Sequence, residues 1–552
     1  MILYTIEVKM MSDHIDLIAY GGKIITVDED FSITEAVAIK GEKFVAIGTD
    51  DEILKMVDST TQKINLNGKT AMPGIIDSHN HMSKVAPGVL LPLFTLSGSL
   101  KPLGINSISD LVSLIRKEAA RKRKGEWIQT AMVNMPSIST DVVENRYPNR
   151  WDLDPVSPDN PVYVSATHAG VINSYALKLL NIIKETPQPE GGEILKDPDT
   201  GEPTGVLSEA PAMGLATNHL PVISDQDMIE AEIKLCSEYN KVGLTSVLEH
   251  GIDSKALAAL QTAKVRDEMT CRLYVHYEMD WPKVKSLEYD LDMIEKLRSF
   301  ANYKGFGDNI LKIGGIGEII FNGVMSEEKF RKIVHKAVEN DLRVGVHAHY
   351  PQGGKSLDKC LAIFEEINDE IPKFKNHRHV ILHGTFPKSD TFDICKKLNL
   401  FVTCQTGFVY THPWWADLDK TRKALPVRDW LDHGIKVGLS SDAPVNPINP
   451  LWGMWHAITR KNPDGSVHCP DQRITREEAI KCYTINNAYG SFEENIKGSI
   501  ETGKLADFIV LDEDILTCPI DKIRDVRVLL TVVGGKIVHQ SSNIKEHKIS
   551  IS

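Results

Sequence analysis

No run of about 18 uncharged apolar residues occurs anywhere in this 552-residue chain, so no membrane-spanning helix is expected. The opening stretch, MILYTIEVKMMSDHIDLIAY, lacks a basic segment leading into a long apolar one and does not read as a secretion signal. Basic residues are outnumbered: 63 Lys and Arg stand against 75 Asp and Glu, a net charge of −12. That balance leaves no basic face for a phosphate backbone, and nucleic acid is excluded as an expected partner. Eight cysteines are scattered with no CxxC pair among them. They read as free thiols in a reducing compartment, and the expected location is the cytoplasm. A GxSxG elbow is missing, which removes the usual serine hydrolase setting. Gly314-Gly315-Ile316-Gly317 has the wrong flanks for a dinucleotide-binding loop.

What is present is ordinary soluble composition, 42% hydrophobic and 25% charged, in a chain too long for one ordinary domain. Residues 15–72 alternate short β-rich runs with Gly-containing breaks, at Gly21-Gly22 and Gly41-Glu42, that read as hairpins. The C-terminus repeats the texture: ADFIVLDED and VRVLLTVVGGKIVHQ are strand-like and joined at Gly534-Gly535. Neither end has strands enough to bury a core alone. The expectation is one small β-sandwich, assembled from residues 1–72 and 500–552 around a central domain. In that domain, 73–499, apolar runs such as GLTSVLEH, ILKIGGIGE, LRVGVHAH, RHVILHG, LFVTCQTG and IKVGLSSD alternate with amphipathic patterns such as SEEKFRKIVHKAVEN. This is the signature of parallel βα units. Residues 83–210 are rich in Pro, Asn, Asp and Gly and read as an insertion after the first barrel strand that could cap a site.

The chemistry-bearing residues sit at the ends of those runs. His79 and His81 follow an apolar strand in AMPGIIDSHNHM; side chains two apart on a strand face the same way and can share one ion. His347 and His383 each close an apolar run, and Asp442 closes another. In a (β/α)₈ barrel functional side chains gather at that end of the strands. Four imidazoles and a carboxylate suit Zn²⁺, with Fe²⁺ or Mn²⁺ as alternatives, better than Ca²⁺ or Mg²⁺. Such an ion lowers the pKa of its water from 15.7 to about 7.

The run PGIIDSHNH, the stretches WDLDPVSPDNPVYVSATHAGVINSYAL and GLSSDAPVNPINPL, and the closing KGSIETGKLADFIVLDED resemble the amidohydrolase superfamily, and within it amidohydrolase family 3, the YtcJ-like proteins. The resemblance implies an α/β fold: a (β/α)₈ TIM barrel with a small β-sandwich built from both chain ends, an insertion after the first barrel strand, and one or two divalent ions. It assigns His79 and His81 to the first strand, His347 and His383 to the fifth and sixth, and Asp442 to the eighth. A bridging ligand from the fourth strand would be Lys312, carboxylated, with Glu318 in reserve. His168 matches a histidine of the inserted region that touches substrate, while Asn173 and Ser174 shape its turn. After His347 the chain departs from the family's pattern and reads Ala348-His349-Tyr350. His349 is then either an inward polar group or a solvated loop residue.

His412, Trp414 and Trp415 would lie on a loop above the site, as substrate contacts or as a packed lid. Trp452 and Trp455 read as core, and Arg422 as either a carboxylate contact or a surface ion pair. The expected function is hydrolysis of a non-peptide C–N bond, in an amide, formamide or cyclic amide, by metal-bound hydroxide. Asp442 would be general base and then acid, and His383 or His168 would polarise the carbonyl. The alternatives are another reaction at the same site (deamination, lactone or ester hydrolysis, decarboxylation, isomerisation) or a non-catalytic binding protein stabilised by its metal. The expected partners are a small-molecule substrate and a second copy of the chain in a homodimer.

Overall fold

The computed structural model describes residues 14–552 except 93, 95–104, 132–141, 167–168, 190–191, 280–285, 322–324, 349–353, 412–418, 463, 543, 545 and 548. Among the described residues no helix is long and apolar enough to cross a membrane.

The centre of the molecule is a parallel barrel of eight strands, labelled in chain order: β1 (Ile75–Asn80), β2 (Leu244–Ile252), β3 (Arg272–Tyr277), β4 (Leu311–Ile320), β5 (Arg343–His347), β6 (Val380–Leu382), β7 (Phe401–Cys404) and β8 (Val437–Leu439). Each is covered on both faces, which is why these runs are almost continuously apolar rather than alternating. The helices between them supply the outer cover. In Glu327–Glu339, Phe330, Ile333, Val334, Ala337 and Val338 are buried, a 3.6-residue stripe, and Ser326 caps the first turn by accepting from Lys329 N. The seam between β8 and β1 is closed just beyond the strand ends. Asp442 N donates to His79 O at 2.8 Å, and His81 N donates to Ala443 O at 3.0 Å. Asn487 Nδ2 donates to both Ile76 O (2.5 Å) and Leu439 O (2.8 Å), bridging the two strands from outside.

Both chain ends build the sandwich. One five-stranded sheet holds Leu17–Tyr20, Ala36–Lys40, Lys43–Gly48, Gln62–Asn65 and Ser550–Ile551; the facing sheet holds Lys23–Ile25, Thr70–Pro73, Phe508–Leu511, Val528–Val533 and Lys536–Gln540, with Ile33–Thr34 at its edge. Leu17, Val37, Ile39 and Ile64 of the first pack on Ile24, Phe508, Val510 and Val532 of the second. The break at Gly41-Glu42 is a hairpin, with Lys40 opposite Lys43, and so is that at Gly534-Gly535. The break at Gly21-Gly22 is not: it carries the chain from one sheet to the other. A Cβ on Gly22 would lie 2.5 Å from Lys69 O, so the crossing passes too close to its neighbour for any side chain.

Strand Thr70–Pro73 pairs antiparallel with Phe508–Leu511 and runs straight into β1 through Gly74, whose Cβ would meet Thr245 Oγ1 at 2.2 Å. Beside this junction the buried Arg272 makes a two-pronged ion pair with Asp507, at 2.7 and 2.9 Å, tying β3 to the sandwich. The N-terminal end of the barrel is plugged by Glu493, which receives Lys312 Nζ (2.8 Å) and Lys497 Nζ (2.6 Å). Burial alone would raise Glu493; the two ammoniums outweigh it and bring the carboxyl to about 2.

Between β1 and β2 the chain folds a separate five-stranded sheet in the order Glu193–Lys196, Pro203–Ser208, Ala169–Ile172, Val162–Ser165, Ile128–Gln129. It is buried on both faces: Val162, Val164 and Val171 face one apolar cluster, Tyr163, Ile172 and Leu207 another. Asn173 Oδ1 accepts from Ala176 N and Val162 N, shaping the turn after its third strand in chain order.

Removing one side of a buried ion pair leaves the other charge uncompensated. Arg272→Met should therefore lower the unfolding free energy, read by chemical denaturation, by roughly 3–5 kcal/mol. The double variant Arg272→Met/Asp507→Leu should recover much of that loss. Equal stabilities for the single variant and the parent chain would deny the pair its joining role.

Candidate metal centre

β1 carries a bulge where it faces β2. Asp77 is opposite Val247 and Asn80 opposite Glu249, so Ser78 and His79 together face Leu248. Asp77 pins the distorted segment. Its Oδ1 accepts from His79 N (3.3 Å) and Ser441 N (3.1 Å), and its Oδ2 from Asn80 Nδ2 (3.0 Å) and Ser441 Oγ (2.5 Å). Burial, only partly offset by these bonds, raises the Asp77 carboxyl to about 6. Tyr239 OH donates to Asn80 Oδ1 at 2.8 Å, fixing the residue between the two histidines.

The bulge directs His79 and His81 to one point above the barrel axis. Asp442 Oδ1 lies 3.0 Å from His79 Nε2 and 3.1 Å from His81 Nε2. Glu318, near the end of β4, completes the arrangement from the other side. Its Oε2 is 3.3 Å from His81 Nε2, and its Oε1 is 2.7 Å from His347 Nδ1 and 3.1 Å from His383 Nε2. His383 Nε2 and His347 Nδ1 are 2.9 Å apart. The donor atoms form three overlapping groups: His79, His81 and Glu318; His79, His383 and Asp442; Glu318, His347 and His383. Glu318 belongs to two of them.

This set fits one or two divalent ions. Burial would raise both carboxyls, but the surrounding imidazoles outweigh it and hold Glu318 and Asp442 well below the ordinary range. In turn the two carboxylates outweigh burial at His81 and raise it to about 10. Two buried negative charges thus require positive charge among them. The donors are nitrogen and oxygen only, a set suited to divalent transition metals. Asp442 Oδ1 and both ring nitrogens of His79 are buried with no hydrogen-bond partner in the protein.

Gln405 fixes His383. Its Nε2 donates to Ser440 Oγ at 2.7 Å, which turns its Oε1 toward His383 Nδ1 at 2.8 Å. An amide oxygen only accepts, so Nδ1 carries a proton and Nε2 is the nitrogen turned toward the cluster. In the structure Nδ1 of His383 meets Gln405 and Nε2 faces Glu318 Oε1.

The structure brings His79, His81, His347, His383 and Asp442 together. It does not bring Lys312. Six residues before Glu318, on a strand rising about 3.3 Å per residue, Lys312 sits near the opposite end of the barrel with its ammonium on Glu493. The fourth-strand position at the cluster is held by Glu318 instead. Arg422 is held by a two-pronged pair with Asp358, at 3.1 and 2.7 Å, and Trp455 is buried. His168, His349, His412, Trp414 and Trp415, the expected substrate contacts, lie outside the described residues. Asp77 and Gln405 were not singled out in the sequence. Gln405 obeys the strand-end rule that located the histidines; Asp77 has no comparable signal.

A family model described as the amidohydrolase family matches residues 62–539. The chain is 28% identical over 549 residues to the N-substituted formamide deformylase of Arthrobacter pascens, covering 95% of this chain and 98% of that one. It is also 28% identical over 548 residues, with 95% and 99% coverage, to YtcJ of Bacillus subtilis (strain 168), an amidohydrolase by description. Among solved structures, an uncharacterized metal-dependent hydrolase from Pyrococcus horikoshii OT3 superposes with a TM-score of 0.68 at 22% identity, covering 92% of this chain and 99% of that one.

Elemental analysis of the purified protein should find bound divalent metal. Loss of an outer-shell partner costs about 10- to 100-fold in metal affinity, and Glu318→Gln, which removes a direct donor, should cost at least about 100-fold. Undiminished metal content in that variant would strike Glu318 from the ligand set.

Proposed function

The chain belongs to the amidohydrolase family, and from that premise we propose that it is a metal-dependent hydrolase of a non-peptide C–N bond in an amide, formamide or cyclic amide. One observation carries the reading: four imidazoles and two carboxylates from β1, β4, β5, β6 and the segment after β8 converge at the C-terminal mouth of the barrel. Active sites of this fold are built at that end. His79, His81, Glu318, His347, His383 and Asp442 would hold the metal, Zn²⁺ before Fe²⁺ or Mn²⁺. It supplies Lewis acidity toward a carbonyl oxygen and acidifies a water from pKa 15.7 to about 7.

Within this centre the carboxylates divide the work. Glu318 reaches both histidine pairs and holds the two halves of the cluster in register. Asp442 keeps Oδ1 on His79 and His81, while Oδ2 stands 3.9 Å from His383 Nδ1. Oδ2 is the atom that takes the proton from the attacking water and returns it to the departing nitrogen, which would otherwise leave as an unstable anion. Gln405 keeps a proton on His383 Nδ1. The amide or formamide class draws support from the formamide deformylase relative, matched over nearly its full length. The eight free thiols, seven of them buried, support a reducing cytoplasmic setting.

With metal supplied to saturation, Asp442→Asn should lower kcat by about 10²- to 10⁴-fold, the usual worth of general acid–base catalysis, on whichever of a panel of N-substituted formamides, amides and cyclic amides is turned over. Undiminished turnover would remove Asp442 from proton transfer. Turnover of only esters or aminopurines by the parent protein would overturn the amide, formamide or cyclic amide class proposed here.

A further inference from the structure

Beside His79 stand two more histidines that the proposed reaction does not use. His250 and His276 are paired residues of β2 and β3, both buried. Their rings meet edge to face at 4.5 Å, and the His250 ring lies 5.1 Å from that of His79. Burial, followed by neighbouring rings and Arg343, drives both well below the ordinary histidine range.

His250 Nε2 lies 3.2 Å from Ser78 O. A carbonyl oxygen only accepts, so this nitrogen carries the proton and donates. Ser78 O belongs to the peptide group whose nitrogen is His79 N, and that N–H donates to Asp77 Oδ1. The peptide entering His79 is thereby held at both ends, within the bulge where β1 departs from regular pairing. His250 Nδ1 has no hydrogen-bond partner. It packs instead on Gly345 of β5, two residues before His347. A Cβ there would lie 2.8 Å from His250 Nδ1 and 3.2 Å from His276 Nδ1. Glycine is required at 345 by this close approach rather than by an unusual backbone angle.

We propose that His250 is a positioning residue for the metal centre: through its bond to Ser78 O and its ring contact it sets the peptide and ring of His79, and Gly345 leaves the space that lets it stand there. The inference rests on the six-residue centre being the metal site. An imidazole is suited to this place. It donates one directed bond to the strand that carries His79. Leucine has similar bulk but cannot donate. Glutamine can place an N–H near the Nε2 position.

The test is metal affinity measured by competition with a chelator, together with the visible absorption of the Co²⁺-substituted protein, on parent, His250→Leu, His250→Gln and Gly345→Ala, each first checked for native circular dichroism. His250→Leu should weaken metal binding by about 10- to 100-fold, the range for outer-shell partners, and shift the Co²⁺ bands. His250→Gln should lose less than about tenfold and restore the parent spectrum. Gly345→Ala, which displaces His250 without removing it, should follow His250→Leu. If His250→Leu does not fold, Gly345→Ala with His250→Gln carries the comparison. Parent-like affinity and an unchanged Co²⁺ spectrum in His250→Leu or Gly345→Ala overturns the proposal. A parent protein that takes up no metal overturns the proposed function itself, a result read before any variant is compared.

Discussion

Two carboxylates, Glu318 and Asp442, are held among four imidazoles with only 10% and 7% of their side chains exposed. Burying like charges together is costly unless positive charge is placed between them. Much of the architecture around the barrel mouth answers that constraint. β1, β4, β5 and β6 each deliver a donor to the same small volume, and the segment after β8 delivers Asp442 while its backbone closes the barrel against His79 O. The groups one layer out, Gln405, Asp77 and Tyr239, bring no charge of their own except the buried Asp77. Their role is to decide where each ring points and which nitrogen bears its proton.

The opposite end of the barrel solves a different problem with the same kinds of residue. Glu493 between Lys312 and Lys497 is a closed ionic plug, with Ser246 completing the Lys497 ammonium. Both of its ammoniums meet a carboxylate of the protein itself. The two clusters share strand β4, which contributes Lys312 to one and Glu318 to the other. One strand thus links a structural ionic centre with a chemical one, and the difference between them lies in whether the positive charge comes from lysine or from outside the chain.

How much of this could be read from the residues alone follows the same physics. Strand ends announce themselves, because an apolar run must stop before a polar side chain: His79, His81, His347, His383 and Asp442 were all legible that way, as was the pairing of the two chain ends into a sandwich. Lys312 was a misplaced expectation. The run ILKIGGIGE offers two polar positions, and the strand continues past the glycines to Ile320, so the residue at the mouth is the later one, Glu318. The Gly21-Gly22 break looked like a hairpin because a glycine pair marks a tight turn without saying whether the next strand returns to the same sheet. His250 closes the strand-like run GLTSVLEH just as the clustered histidines close theirs, yet nothing in such a run distinguishes a histidine that ligates from one that braces a ligand.

The route by which the chain enters the barrel has a further consequence. Strand Thr70–Pro73 is clasped by Phe508–Leu511, and only Gly74 separates it from β1, which ends at the paired histidines. The C-terminal strands are therefore not an appendage. They anchor the root of the segment that bears His79 and His81, two of the six clustered side chains. Proteolytic loss of the last fifty residues would leave every ligand in the chain and still unmoor the strand that aims two of them. In this molecule the far terminus is mechanically part of the centre it never touches.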